Sequence, residues 1–265
     1  MEWFIILPIT YIHTNTDSAI LTIFIGTAMV SVYNIYGAII FGIEKVITSV
    51  SNGTAAGIGN VIALNDKERI NQTVNAFEFV QGSVTTVFYT ITALLLIPFI
   101  KIYTVNMTDM NYMRPTFGYV LIIAEAIYCF RCIYSTISAS ANKFKETQVG
   151  AVLECVTNIA VSLTLVLVFK LSILGVAIGT VIGMLARYIF EVVFLSKNVI
   201  YRTIFLAFKI VAVSAAAFVS VLICNSFMDY SSVKTLSTWF GYATITAVIV
   251  GITTLIIYSI FYRNI

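Results

Sequence analysis

Residues 172–195 read SILGVAIGTVIGMLARYIFEVVFL, and only two of these residues are charged. A helix needs roughly 20 mostly apolar residues to cross the hydrocarbon core of a bilayer, so this stretch is long enough to span it. Gly175, Gly179 and Gly183 recur every four residues within it, and such a repeat lets a neighbouring helix approach closely. The stretch therefore predicts a membrane-spanning helix that packs tightly against another helix.

The whole chain has the same apolar character. It is 60% hydrophobic and 10% charged, with a mean hydropathy of +0.98, whereas a soluble domain is about half apolar and about a quarter charged. Alternation of apolar and polar residues is absent, which disfavours a β-barrel. The sequence predicts an all-α, polytopic membrane protein with about eight transmembrane helices. Their expected ranges are 3–25, 30–62, 77–102, 116–139, 149–169, 172–195, 203–226 and 239–262.

A polar run interrupts the first of these stretches. YIHTNTDSA, residues 11–19, places His13 and Asp17 between the apolar runs WFIILPIT and ILTIFIG. In a helix over 3–25, Asp17 lies about 5 Å from the midpoint. A charge at that depth costs at least about 2.5–3.5 kcal/mol, so we expect Asp17 to face a cavity, a partner or an ion. The alternative is a protonated Asp17 that hydrogen-bonds to a neighbouring helix.

Several classes of function lack the residues that they need. The chain has one histidine, and Cys129 and Cys132 have CxxC spacing inside a span with no second pair, so we expect no metal and no cofactor. The patterns GxxxxGK[ST] and GxGxxG are absent, and the loops near 102–115 and 226–238 are too short for a catalytic domain. We therefore expect no enzyme. The net charge of +3 reflects the loops and indicates no nucleic-acid partner.

The distribution of basic residues predicts the orientation. With a cytoplasmic N-terminus, seven basic residues lie in cytoplasmic segments and four on the opposite side, which favours cytoplasmic location of both termini. The cytoplasmic set is Lys67, Arg69, Lys143, Lys145, Lys197, Arg202 and Arg263, and the opposite set is Lys101, Arg114, Lys170 and Lys234.

Two pairs of polar residues lie four apart within predicted spans. Arg187 and Glu191 share one helix face, and we expect them to form a structural ion pair. Glu154 and Asn158 share a face without an adjacent basic residue. A carboxylate and an amide can bind a hard cation or a proton, and an interhelical hydrogen bond is the alternative.

The order of several motifs resembles a known family. TDSAILTIFIGTAMVSVYNIYGAII, SNGTAAGIGNVIAL, the charged loop NDKER, PFIKIYT, MTDMNYMRPTFGYVLII, ASANKFKETQVGAVLECVTNIAVSLTLV and LGVAIGTVIGMLARYIF follow one another along the chain. This order is similar to that of the polysaccharide exporters of the multidrug/oligosaccharidyl-lipid/polysaccharide superfamily, the O-antigen or repeat-unit flippases. The resemblance implies that residues 1–200 form the six-helix C-terminal lobe of a transporter and that residues 201–265 add two further helices.

The resemblance also implies a function. Such proteins move oligosaccharide linked to undecaprenyl pyrophosphate across the bacterial cytoplasmic membrane, for synthesis of cell-surface polysaccharide. The family has two lobes, so we expect a missing N-terminal lobe, or a second chain, as a partner beside membrane lipid and the lipid-linked oligosaccharide. A multidrug exporter of the same superfamily, a membrane-embedded polysaccharide polymerase and an inactive helix bundle remain alternatives.

Candidate binding residues follow from this cargo. Lys45 and Arg131 are the cations expected to bind the diphosphate, unless each pairs with Glu78 or Glu125 on another helix. Aromatic and amide side chains suit the sugars. The predicted set is Tyr33, Asn34, Tyr36 and Gln81.

Some members of the superfamily couple transport to Na⁺ or H⁺ through a carboxylate on the first helix of the second lobe. Asp17 occupies a comparable depth here. The resemblance therefore assigns ion coupling to Asp17, with Glu154 and Asn158 as candidate partners and Thr180 as a weaker candidate.

Overall fold

The computed structural model describes residues 16–64, 66–201 and 206–262, apart from the side chains of 206–212 and 262. This part of the chain is almost entirely helical and contains no strand, so the predicted all-α fold is confirmed. In chain order the helices are α1 (16–24), α2 (Thr27–Ala63), α3 (Lys67–Tyr103), α4 (Pro115–Ser140), α5 (Phe144–Leu167), α6 (Ser172–Leu195), α7 (Leu206–Phe227) and α8 (Leu236–Tyr262). A π-helical turn at Ser196–Ile200 follows α6, and a 3₁₀ turn at Tyr230–Ser232 precedes α8.

The lengths and compositions of these helices make the chain a multi-pass membrane protein. Within the described ranges, six helices are long and apolar enough to cross a bilayer: Thr27–Ala63, Lys67–Tyr103, Pro115–Ser140, Phe144–Leu167, Ser172–Ile200 and Leu236–Phe261. The described apolar part of α7, Val213–Phe227, is shorter. Of the predicted first span, residues 3–15, which include His13, lie outside the described residues. The prediction of about eight spans is therefore approximate.

The start of α3 differs most from the sequence prediction. The span was expected from residue 77, but the helix begins at Lys67. Asp66 caps it, because its carboxylate accepts hydrogen bonds from the backbone N–H groups of Glu68 and Arg69 at 3.1 and 3.2 Å. The helix is about 55 Å long, well above the bilayer core of about 30 Å, so its charged first turns extend beyond the apolar stretch.

Glycine sets the distance between α5 and α6, as the repeat predicts. A β-carbon on Gly179 would overlap Ser162 Oγ, and one on Gly183 would lie 2.9 Å from the Glu154 carbonyl oxygen. On α2, a β-carbon on Gly53 would meet nothing within 4 Å, and one on Gly57 would meet the Phe77 ring at 3.4 Å, an ordinary van der Waals contact. The backbones that approach most closely at these glycines are thus those of α5 and α6.

Two clusters of buried apolar side chains hold the first six helices together. One cluster contains Leu21, Tyr36, Leu121 and Val176, and it joins α1 to the starts of α2, α4 and α6 and to the ends of α3 and α5. The other joins the opposite ends of α2, α3, α4 and α6. Consecutive helices therefore run in alternating directions.

Helix α8 extends the bundle along α3. The hydroxyls of Tyr258 and Thr86 are 2.8 Å apart, and the Trp239 indole N–H donates to the Leu95 carbonyl at 3.1 Å. Asp229 caps the turn that precedes α8, since it accepts from the Ser231 N–H and Oγ at 3.0 and 2.6 Å. These hydrogen bonds lower the pKa of the Asp229 carboxyl below its ordinary value.

Candidate cation and cargo sites

Three helices converge on the carboxylate of Asp17, which is 5% exposed. Thr180 Oγ1 on α6 donates to Asp17 Oδ2 at 2.8 Å, and the Tyr33 hydroxyl on α2 donates to the same oxygen at 3.2 Å. Asn158 Nδ2 on α5 donates to Asp17 Oδ1 at 3.3 Å. Two of the predicted partners of Asp17, namely Asn158 and Thr180, thus lie in contact with it, and Tyr33 is an additional contact.

Helix geometry brings these side chains to one depth. The chain reverses after α1 at Gly26, whose φ of 115° lies in the left-handed region that favours glycine. At about 1.5 Å per residue, Asp17 lies about 14 Å along α1 from this turn, Asn158 about 14 Å from the end of α5, and Thr180 about 12 Å from the start of α6. Each is therefore near the middle of a bilayer core of about 30 Å.

Ser162 completes the polar cluster. Its Oγ donates to Asn158 Oδ1 at 3.0 Å, and it lies 3.4 Å from the Val176 carbonyl oxygen. Sequence reasoning missed Ser162, although it continues the four-residue spacing of Glu154 and Asn158 along α5. The Asn158 amide thus turns its N–H to Asp17 and its oxygen to Ser162, and the groups around the carboxylate are hydrogen-bond donors. A monovalent cation or a proton would neutralise the single charge of this carboxylate.

Glu154, the other predicted partner of Asp17, contacts an arginine. It accepts a hydrogen bond from Arg187 Nη1 at 2.9 Å. Arg187 Nε also donates to Glu191 Oε1 at 2.7 Å, which confirms the predicted contact between these two residues. Arg187 therefore links α5 to α6.

Arg131 belongs to the same ion network. Its Nη1 lies 3.3 Å from Glu191 Oε1, and the guanidinium lies over the Tyr128 ring, 4.9 Å from its centroid. Arg131 is 4% exposed, and the partner that the structure gives it is Glu191, whereas the alternative to phosphate binding had been Glu78 or Glu125. Two cations and two carboxylates neutralise one another in this network, which makes their burial tolerable. A buried and paired Arg131 is a poor candidate for binding a phosphate.

Lys45 has the opposite environment. It is exposed, and its ammonium group makes no hydrogen bond or ion pair with the residues that the structure describes. Asn34 lies on the same face of α2, three turns away. This exposed face consists mainly of small and polar residues, although Val46 is also exposed beside Lys45. The small and polar members are Ser31, Asn34, Ala38, Gly42, Lys45, Ser49 and Asn52. By contrast, the exposed face of α5 is apolar, with Val149, Val152 and Val156.

The other predicted sugar-binding residues are buried in helix contacts. Tyr36 is fully buried, and its hydroxyl donates to the Tyr112 carbonyl at 3.2 Å and accepts from the Arg114 N–H at 2.9 Å. Gln81 Nε2 donates to the Cys129 carbonyl at 3.0 Å. Tyr36 therefore fixes the start of α4. Binding of a sugar beside Lys45 would need residues on the exposed face of α2, and neither Tyr36 nor Gln81 lies there.

A cleft of about 490 Å³ lies among α3, α4, α6, α7 and α8. Most of its wall is apolar, including Ile123, Ile127 and Phe130 from α4. Its polar lining comes mainly from α3 and from tyrosines, namely Glu78, Gln81, Thr85, Thr86, Thr90, Tyr89, Tyr134, Tyr188 and Tyr258. The cleft can therefore hold an extended apolar ligand.

Comparisons with protein-family models, with curated proteins and with solved structures find no match to this chain. Within the described parts of the chain, no three or more His, Cys, Asp or Glu side chains are grouped as metal ligands. The candidate functional features of the described residues are the Asp17 cluster, the exposed face of α2 and the cleft.

Proposed function

We propose that this chain is part of a flippase that moves a lipid-linked oligosaccharide across the bacterial cytoplasmic membrane. The observation that supports this function most directly is the exposed face of α2, which carries Lys45 and Asn34 between small residues. Lys45 is a point charge that suits a diphosphate, and Asn34 can hydrogen-bond to sugar hydroxyls.

The depth of Lys45 supports this role. Tyr36 binds the backbone at the start of α4, so it marks that level on α2. Lys45 lies nine residues further along, about 14 Å deeper, which is near the middle of a core of about 30 Å. A lysine facing lipid at that depth costs about 2.5–3.5 kcal/mol, so this face of α2 meets water, cargo or a polar partner. A second lobe or a second chain would enclose it.

The cleft supports a lipid-linked cargo. An isoprenoid tail is long and apolar, and the cleft beside α3 and α4 has a mostly apolar wall. The cleft is lined by α3, α4, α6, α7 and α8, so it would hold the tail on helices other than α2. A free sugar would have no use for such an apolar surface.

The Asp17 cluster would supply energy coupling. A bound Na⁺ or H⁺ can bias inward and outward states only if its affinity differs between them. Asp17, Asn158 and Thr180 lie on three different helices, so a relative movement of α1, α5 and α6 would change the oxygens around a cation.

Lys45→Ala tests the cargo assignment. Vesicles that contain the full chain and its partner lobe are loaded with lipid-linked oligosaccharide, and the exposure of the sugar is followed. A lost charge-assisted contact of about 1.5–3 kcal/mol corresponds to roughly a tenfold to 150-fold loss of rate. Lys101→Ala is the matched control, because Lys101 is an exposed lysine at the end of α3.

Equal transport by the two lysine variants would refute the phosphate contact. Export of a fluorescent drug in place of the lipid-linked sugar would favour the multidrug exporter instead.

A second experiment tests energy coupling, and it compares transport by Asp17→Asn with transport by the parent across imposed Na⁺ and H⁺ gradients. A variant that keeps the parent's gradient dependence would show that Asp17 has only a structural role.

A further inference from the structure

Glu125 is a buried carboxyl that the proposed function does not use. It lies about 15 Å from the start of α4 and is 6% exposed. It makes no hydrogen bond and no ion pair with any residue in the described parts of the chain, whereas Glu154 and Glu191, on α5 and α6, each contact an arginine.

Glu125 is buried, and most of the charged groups that interact with it are acidic. These groups are Glu44, Asp17 and Glu154, and within the described ranges Arg131 is the cation that interacts with it. Arg131 is already bound to Glu191 on α6. The other titratable groups that interact with Glu125 are Tyr33, Tyr89, Tyr128, Cys129 and Cys132, and none of them brings a positive charge.

A proton suits this position better than a metal ion. A metal needs several oxygen ligands, and Glu125 has no polar contact within hydrogen-bond distance in the described structure. A proton needs only the carboxyl itself, and the neutral acid avoids an uncompensated buried charge.

We propose that Glu125 is a proton-binding site, separate from the Asp17 cluster, and that it carries its proton in this conformation. Glu44 is half-buried on α2 beside the exposed Lys45, and it passes protons between that face and Glu125. A cation on Asp17 removes the repulsion that keeps Glu125 protonated, so cation binding favours proton release. This exchange of cation for proton rests on the proposed function, whereas the protonation of Glu125 does not.

Infrared spectroscopy of the purified full chain tests the protonation at neutral pH. The difference spectrum between the parent and Glu125→Gln should show the loss of a protonated-carboxyl C=O band. Glu146→Gln is the matched control, because Glu146 is exposed and bound to Lys143 at 3.0 Å, and it should lose a carboxylate band. Loss of a carboxylate band in the Glu125 variant would overturn the proposal.

A hydrophobic carbodiimide tests the coupling to Asp17, because it modifies protonated carboxyls in apolar surroundings. Peptide mass spectrometry measures the adduct on Glu125 across a pH series. Each of Asp17→Asn and Glu44→Gln removes a negative charge near Glu125. In both variants, the pH at which labelling of Glu125 falls to half should therefore be lower than in the parent by roughly one unit. An unchanged profile in Asp17→Asn would overturn the coupling, and an unchanged profile in Glu44→Gln would remove Glu44 from the path. Neither measurement involves the cargo, so failure of the flippase assignment would be seen separately.

Discussion

Replacing Gly179 by alanine should separate α5 from α6 and disturb the Asp17 cluster. The new β-carbon would overlap Ser162 Oγ and lie 2.9 Å from the Ser162 backbone nitrogen. A side chain can rotate away, but the backbone of α5 cannot, so the two helices must move apart. Overpacking of this kind costs about 1–3 kcal/mol. At roughly 2–4 °C per kcal/mol, we expect the melting temperature to fall by about 2–12 °C.

Thermal unfolding with a thiol-reactive fluorescent dye measures this change, because Cys129 and Cys224 are buried and become reactive on unfolding. Gly251→Ala is the matched control. A β-carbon there meets nothing within 4 Å, and alanine favours a helix interior by about 0.5–1 kcal/mol over glycine. Ser162→Ala combined with Gly179→Ala should recover only part of the loss, since the backbone contact remains. A Gly179→Ala protein that melts at or above the parent temperature would refute the close contact.

Three further predictions follow from the described contacts. Arg131→Leu should destabilise the fold by about 3–5 kcal/mol, because it leaves Glu191 with one cation fewer in a buried network; normal yield and melting of this variant would contradict the network. Tyr258→Phe should lower stability by about 0.5–1.5 kcal/mol through the lost hydrogen bond to Thr86, measured as a shift in melting temperature, and an unchanged value would show the bond to be dispensable. The hydrogen bonds from Ser231 lower the pKa of Asp229 in the folded protein, so the cap contributes its full stabilisation at pH values above the unfolded-state pKa. This stabilisation is lost as the pH falls through the lower pKa of the folded state. Proteolysis between α7 and α8 should therefore accelerate in acid for the parent, but not for Asp229→Ala.

The existence of the helices could be predicted because a bilayer demands long apolar segments, and composition alone shows such segments. The start of α3 could not be predicted in this way. Residues 67–76 are too polar for a span, yet the Asp66 cap makes them helical outside the apolar core. A count of apolar residues gives the length of the membrane-embedded part of a helix, and the whole helix can be longer.

Contacts within one helix were similarly open to prediction. Arg187 and Glu191 lie one turn apart, and the structure confirms their contact. The contact of Arg131 with Glu191 joins residues 60 positions apart, so no local pattern could identify it. Arg131 therefore looked like a cation available to cargo, and only the packing of α4 on α6 showed it to be paired.

By itself, the sequence determined that this chain lives in a membrane, that its helices are long and apolar, and that glycines on α6 permit a close neighbour. It also placed Asp17 where a charge needs compensation. Only the tertiary structure showed which described side chains donate hydrogen bonds to it, namely Tyr33, Asn158 and Thr180, and that Glu154 contacts Arg187. The physical reason is that burial and helix length depend on local composition, whereas the partner of a buried polar group depends on which helices pack together and at what rotation.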